Sequence, residues 1–200
     1  MAILKSDGTV PKRATMRILC AKVRGFTRMA ETIEPSVVLA RASEFFALVA
    51  AAVEQHEGTV VNVLNDTLTA AFAGEGDAQH AVQAAQEIRR DFTVLNAAWQ
   101  QAHGVRTAVA MGLHGGDAVF GFAGGPMPEQ LLVIGNSVSV AERLLQRARA
   151  GEFVVSKTIM DALAATQFAL DAKELPLLKI PPRERMRIFA MVLDTRLDFI

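Results

Sequence analysis

The sequence has one cysteine, no tyrosine and a single tryptophan, and neither sign of charge is in excess: 21 Lys+Arg stand against 21 Asp+Glu. A lone thiol leaves no internal disulfide and no thiolate metal knuckle to build. Cys20, inside the run Ile18-Leu19-Cys20-Ala21, reads as a small buried hydrophobe. Balanced charge without a basic run argues against a phosphate-backbone footprint, so nucleic acid is not an expected partner. The longest wholly apolar stretch, Phe45 to Val53, falls well short of the ~20 residues that span a bilayer, and the N-terminus shows no signal-peptide pattern. The expectation is a cytoplasmic domain that makes no membrane contact of its own.

What is present fits one domain, because 200 residues can surround a single core without splitting. Residues 1–15 carry Gly8, Pro11 and scattered charge without apolar periodicity and read as a tail or linker, which assigns the domain to residues 16–200. Met16 to Val23 is an apolar run suited to a buried strand. Glu34-Pro35-Ser36 signals a helix start, and the helix runs to Glu57 before Gly58.

Thr59–Leu64 and Thr67–Phe72 are β-rich runs separated by Asn65-Asp66, the length of a tight hairpin, which puts Asp66 at its tip. A second long helix is expected over Gly76–Gln101, followed by strands at Arg106–Leu113 and Ala118–Phe122, a loop at Gly121–Pro128 and a strand at Leu131–Ile134. Ser137–Arg149 reads as helix, Glu152–Ser156 as strand and Lys157–Ala165 as helix. Leu177–Ile180 and Arg187–Leu193 close the chain as a hairpin around Pro181-Pro182. Helices interleaved with hairpins imply an α+β fold, a ferredoxin-like antiparallel sheet flanked by helices.

Some tempting features have plain readings. His114 and Asp117 could suggest a metal site, but a histidine near the end of a buried strand is more simply a hydrogen-bonded structural residue. The stripe Phe45, Phe46, Val49 and Val53 reads as helix-on-sheet core. Arg147 and Arg149 read as a solvated helix face.

Four segments carry a resemblance: Val23-Arg24-Gly25-Phe26-Thr27, Leu64-Asn65-Asp66, Gly112-Leu113-His114-Gly115-Gly116 with Gly121, and Val133-Ile134-Gly135-Asn136 leading into Ala141-Glu142-Arg143-Leu144. In this order and spacing the chain resembles the class III adenylyl and guanylyl cyclases, from about Met16 to Val192. The resemblance implies the class III nucleotidyl cyclase fold and a head-to-tail dimer with its active sites at the subunit interface. One subunit of such a dimer supplies two aspartates for two divalent ions, Mg²⁺ or Mn²⁺. The other supplies a lysine and an aspartate that read the base of ATP or GTP, and an asparagine and an arginine that stabilise the reacting phosphate. The metal pair matters because a ribose hydroxyl is a poor nucleophile until an ion lowers its pKa.

Set on those positions, the sequence departs from the family pattern at most of them. The first metal aspartate, three residues ahead of Gly25, is Lys22; Asp66 keeps the second. The base-reading lysine is Asn62 and its partner aspartate is Asn136. The phosphate-stabilising asparagine is Ser139, and only Arg143 of that set is retained. Lys22 is expected to face Asp66 across neighbouring strands, as an internal cation or as an ordinary ion pair. Gly25, Phe26 and Thr27, at a helix start, could still cradle a triphosphate whose phosphates Lys179 and Arg143 reach.

Loss of one preorganised donor costs about 10²- to 10³-fold in rate, and loss of the metal pair more. The leading expectation is therefore a degenerate cyclase homology domain with no resident cofactor, dimerising with itself or with a related cyclase domain in signal transduction. Two alternatives stand beside it: an active adenylyl or guanylyl cyclase with divergent metal ligands, and a ferredoxin-like module binding RNA or protein.

Overall fold

The computed structural model describes residues 11–123, 130–181 and 185–192. In chain order the elements are β1 (Lys12–Arg24), α1 (Phe26–Thr32), α2 (Pro35–Gln55), β2 (Thr59–Leu64), β3 (Thr67–Phe72), α3 (Asp77–His103), β4 (Ala108–Ala123), β5 (Gln130–Ile134), α4 (Asn136–Arg147), β6 (Glu152–Ser156), α5 (Lys157–Ala165), β7 (Lys173–Leu178) and β8 (Met186–Val192). The strands form one sheet in the order β2-β3-β1-β4-β6-β8-β7, with β5 paired to the far part of β4. The expected antiparallel sheet flanked by helices is present, with one parallel pair within it, β4 and β6. The chain returns between them through α4, the kind of crossover that parallel strands require. The fold is α+β, a mixed sheet flanked by helices.

The central strand β1 is buried on both faces, and its alternation sorts the two cores. Leu19, Ala21 and Val23 face one core with Phe45, Val49 and Val53 of α2, and Val82, Ile88 and Trp99 of α3. Met16, Ile18 and Cys20 face the other with Val140, Ala141 and Leu144 of α4. Phe45, Phe92 and Trp99 chain together edge to face at 5.6 Å between centroids, a geometry worth ~0.5–1.5 kcal/mol per pair beyond burial. By length and composition α2 could cross a bilayer, with mean hydropathy 1.7. Here its Val38, Phe45, Val49, Ala52 and Val53 are buried in the core, and the high hydropathy comes partly from exposed alanines such as Ala40, Ala47 and Ala51.

Several boundaries move for identifiable reasons. β1 begins at Lys12, four residues before Met16, because Lys12 to Thr15 pair with Phe120 to Asp117 of β4. The two strands expected at 106–113 and 118–122 are one, β4, whose pairing with β1 passes through Gly115 and Gly116 without a break. At Gly115 the missing side chain makes room rather than a turn: a Cβ there would lie 2.5 Å from the Arg17 guanidinium. Gly121 to Ala123 belong to this strand as well, and the rest of the expected 121–128 loop lies outside the described residues.

α4 stops at Arg147, which leaves Arg149 beyond the helix rather than on its face. β7 runs Lys173–Leu178 instead of starting at Leu177. As an edge strand it needs neither apolar alternation nor every N–H, so Glu174 and Pro176 are tolerated. The expected end of the last strand at Leu193, the turn residue Pro182 and most of the assigned tail lie outside the described residues.

Gly112 sets how closely α4 can approach the sheet. A Cβ at this position would sit 2.3 Å from the Leu145 backbone nitrogen and 2.6 Å from the Ala141 carbonyl oxygen, neither of which can swing aside. Gly112→Ala is expected to lower stability by about 1–3 kcal/mol, as overpacking does, measured by urea unfolding. Cys20, sealed beneath α4, has its thiol pushed up from its ordinary 9.0 to about 12, mainly by burial, with a contact to Thr69 acting against the shift. Burial favours the neutral thiol, so this stabilisation is complete below pH 9 and is lost as pH rises towards 12. A disulfide reagent at pH 8 is therefore expected to label Cys20 only as fast as the protein unfolds; rapid labelling of native protein would contradict the packing.

Candidate functional site

Even-numbered positions of β1 project towards α4, and beyond Met16, Ile18 and Cys20 that alternation delivers Lys22 and Arg24 to the same side. Lys22 lies opposite Thr67 in the register with β3, one residue past the hairpin tip. The tip takes its shape from Asn65, whose φ of 55° is left-handed. Its neighbour Asp66 meets Lys22 at 2.7 Å, Nζ to Oδ2, with the two side chains 22% and 28% exposed. The other carboxylate oxygen accepts from Thr67 Oγ1 at 3.2 Å. Both oxygens of Asp66 are engaged.

Sequence reasoning passed over Arg24. Its Nη2 donates to the carbonyls of Leu145 and Ala148 at 2.8 Å each and of Gln146 at 3.4 Å, taking up groups that the end of α4 leaves unpaired. A guanidinium there also meets the negative end of the helix dipole. Burial lowers the Arg24 pKa, and the nearby negative charge of Asp66 partly restores it. The available signal was period two: an arginine two residues past Lys22 had to share its face.

The remaining expected residues fall into separate groups. Asn62 shares the Lys22 face, since it pairs with Thr69, which pairs with Cys20, and it is exposed. Asn136, Ser139 and Arg143, spaced by three and four, form one exposed stripe on α4, where Arg143 Nη1 donates to Gln146 Oε1 at 3.0 Å. Lys179 is exposed just after β7, at the opposite end of the sheet order from the β2–β3 hairpin. Gly25 precedes α1 with φ 90°, Phe26 packs partly against the core and Thr27 is exposed. The structure thus joins Lys22 to Asp66 within one chain and leaves the α4 stripe and Lys179 on other parts of the surface.

An open cleft of about 470 Å³ at the start of α4 is lined by Arg13, His114, Asp117, Val119, Ile134 and Asn136, among others. His114 is buried, with Nδ1 at 2.9 Å from Ser156 Oγ, as befits a structural residue. Asp117 accepts from Thr15 Oγ1 at 2.7 Å and Arg13 Nη2 at 2.8 Å, contacts that hold its carboxyl below the usual range.

The model of the adenylate and guanylate cyclase catalytic domain matches residues 10–192. This chain belongs to that family. It is 30% identical over 142 residues to adenylate cyclase 1 of Rhizobium meliloti (strain 1021), a stretch that covers 68% of the chain but only 21% of that relative. The chain therefore spans about a fifth of the length of this curated cyclase. Among solved structures, the adenylyl cyclase CyaB from P. aeruginosa superposes with a TM-score of 0.84 at 20% identity, covering 95% of this chain and 99% of that one. A non-canonical dimeric guanylyl cyclase domain of the RhoGC fusion protein from Blastocladiella emersonii does so at 0.77 and 14% identity, covering 91% and 98%. At those identities the structural likeness establishes the fold alone.

Cyclases of this family are expected to hold two divalent ions, and hard cations of this kind take six or more oxygen ligands in all. In this cyclase homology domain the donor set is one carboxylate, Asp66, already paired to an ammonium. Among the described residues no three His, Cys, Asp or Glu side chains gather into a metal site. The residues present do not fit the ion pair. Removing the α4 tie is expected to show how the site is held: Arg24→Ala strips three carbonyls of their donor and should cost about 1–3 kcal/mol. Hydrogen exchange should accelerate in residues 144–149 while β6 stays protected; unchanged exchange would refute the tie.

Proposed function

We propose that this domain is a catalytically silent member of the cyclase family that acts in intracellular signal transduction by dimerising, with itself or with a related cyclase domain. The observation that carries the reading is the 2.7 Å contact between Lys22 and Asp66: by the resemblance, a cation stands at the position of the family's first metal aspartate, against the second. A further support comes from elsewhere on the chain. Asn62, Asn136 and Ser139 replace the base-reading and phosphate-stabilising groups, so both half-sites that a head-to-tail dimer would combine are altered. Pairing with an intact cyclase would therefore not assemble a complete centre on either side.

Dimerisation is supported by surfaces that a lone chain leaves wet. Leu64 on the hairpin is 64% exposed and Ile134 on β5 is 66% exposed, apolar side chains that burial against another subunit would take out of water. The dimeric neighbour from Blastocladiella emersonii has the same fold. ATP or GTP binding without turnover, at Gly25 to Thr27 with Arg143 and Lys179, is compatible with silence. A cytoplasmic setting is part of the proposal.

The rival reading, turnover with divergent ligands, is favoured by two retained residues, Asp66 and Arg143. Incubating the purified domain with Mn²⁺ and either ATP or GTP separates the two. No cyclic product is expected. Product that disappears on Asp66→Ala would reverse the conclusion. Sedimentation velocity should show a reversible dimer that Ile134→Lys weakens, and a strictly monomeric wild type would remove self-association and leave only pairing with a related cyclase domain.

A further inference from the structure

We infer that Lys22 is the resident cation of this site: its ammonium does for Asp66 what a divalent ion would otherwise do, and in this way fastens the β2–β3 hairpin to β1 without metal. The inference rests on the silent reading only for its choice of site, since it concerns how the hairpin is held rather than whether product forms.

The geometry fixes both partners. Lys22 cannot turn to the other face of β1, because Ala21 and Val23 on either side of it are 0% and 1% exposed and lock the strand's alternation. Its Nζ, a compact charge that only donates, lies 2.7 Å from Asp66 Oδ2. Thr67 takes the other oxygen. Beyond the backbone pairing that runs up to Thr67, few side chains hold the tip, because Val63 and Leu64 are 45% and 64% exposed and Asn62 and Asn65 are exposed as well. On the hairpin's inner strand, Leu68 is the first residue past the tip that is fully buried. The ion pair is thus the tether nearest the turn.

Charge counting says what the site excludes. Lys22 and Arg24 contribute two positive charges beside the single negative charge of Asp66, and Arg24 is held in place by the carbonyls at the end of α4. A divalent ion arriving at Asp66 would have to displace one cation and lie against another. Reversing the charge at position 22 changes the local sum from one positive to one negative and leaves two carboxylates facing each other across adjacent strands, the start of an oxygen site for a hard cation. The strand register that places them is already built.

The test is calorimetric titration with MnCl₂ of wild type, Asp66→Asn, Lys22→Asp and Lys22→Asp/Asp66→Asn, each checked for native circular dichroism. Wild type and Asp66→Asn are expected to give the same weak heats. Lys22→Asp should bind Mn²⁺ at least about ten-fold more tightly, and the double variant should return to the wild-type level. Mn²⁺ binding by the wild type that Asp66→Asn abolishes would overturn the inference. So would a folded Lys22→Asp that binds no better than wild type.

Hydrogen exchange over residues 62–69 gives an arm independent of charge reversal. Protection in the wild type should be unaffected by chelator or Mn²⁺ and should fall in Lys22→Met; undiminished protection in that variant would count against the tether. Cyclic product that survives Asp66→Asn would defeat the silent reading alone, whereas Asp66-dependent metal binding by the wild type without product would defeat the resident cation alone.

Discussion

β1 is buried on both faces, and that constraint governs the rest of the site. In a strand with one face in water, a misplaced side chain can bend away. In β1 every residue from Met16 to Val23 except Arg17 and Lys22 is almost wholly buried, so shifting the strand by one residue would turn two cores inside out. Lys22 and Arg24 therefore project towards α4 whatever their own chemistry prefers. The ion pair to Asp66 and the carbonyl tie to α4 are how two cations are accommodated on a face they cannot leave.

α4 is held to the same face from two directions. Gly112 lets its backbone come into direct contact with β4, and Arg24 takes the carbonyls at its end. The stripe of Asn136, Ser139 and Arg143 lies on its outer, exposed side. The scaffold depends on glycine, alternation and helix-end hydrogen bonds, none of which passes through a metal.

The cysteine, the histidine and the long apolar helix show how burial decides among readings that composition leaves open. Cys20 is sealed beneath α4 with its thiol held neutral, which removes it from redox chemistry. His114 is buried at the wall of the cleft with its Nδ1 bonded to Ser156, which accounts for it structurally. α2 has the hydropathy of a membrane span, yet Phe45, Val49 and Val53 go to the core and its outward positions are largely small.

The sequence alone determined the strongly periodic elements, the hairpin with Asp66 at its tip and the family. Those follow from local rules: turn chemistry at Asn65-Asp66, alternation along β1, helical spacing in α4, and motif order. Only the tertiary structure decided that β4 is one strand rather than two, that β4 and β6 run parallel, that β7 starts earlier on a polar edge, and that Arg24 caps α4. Glycines in sequence look like breaks, but Gly115 and Gly112 serve close approach, and a close approach depends on what packs above the residue. Arg24 meets carbonyls about 120 residues away, and no local pattern encodes a partner at that separation.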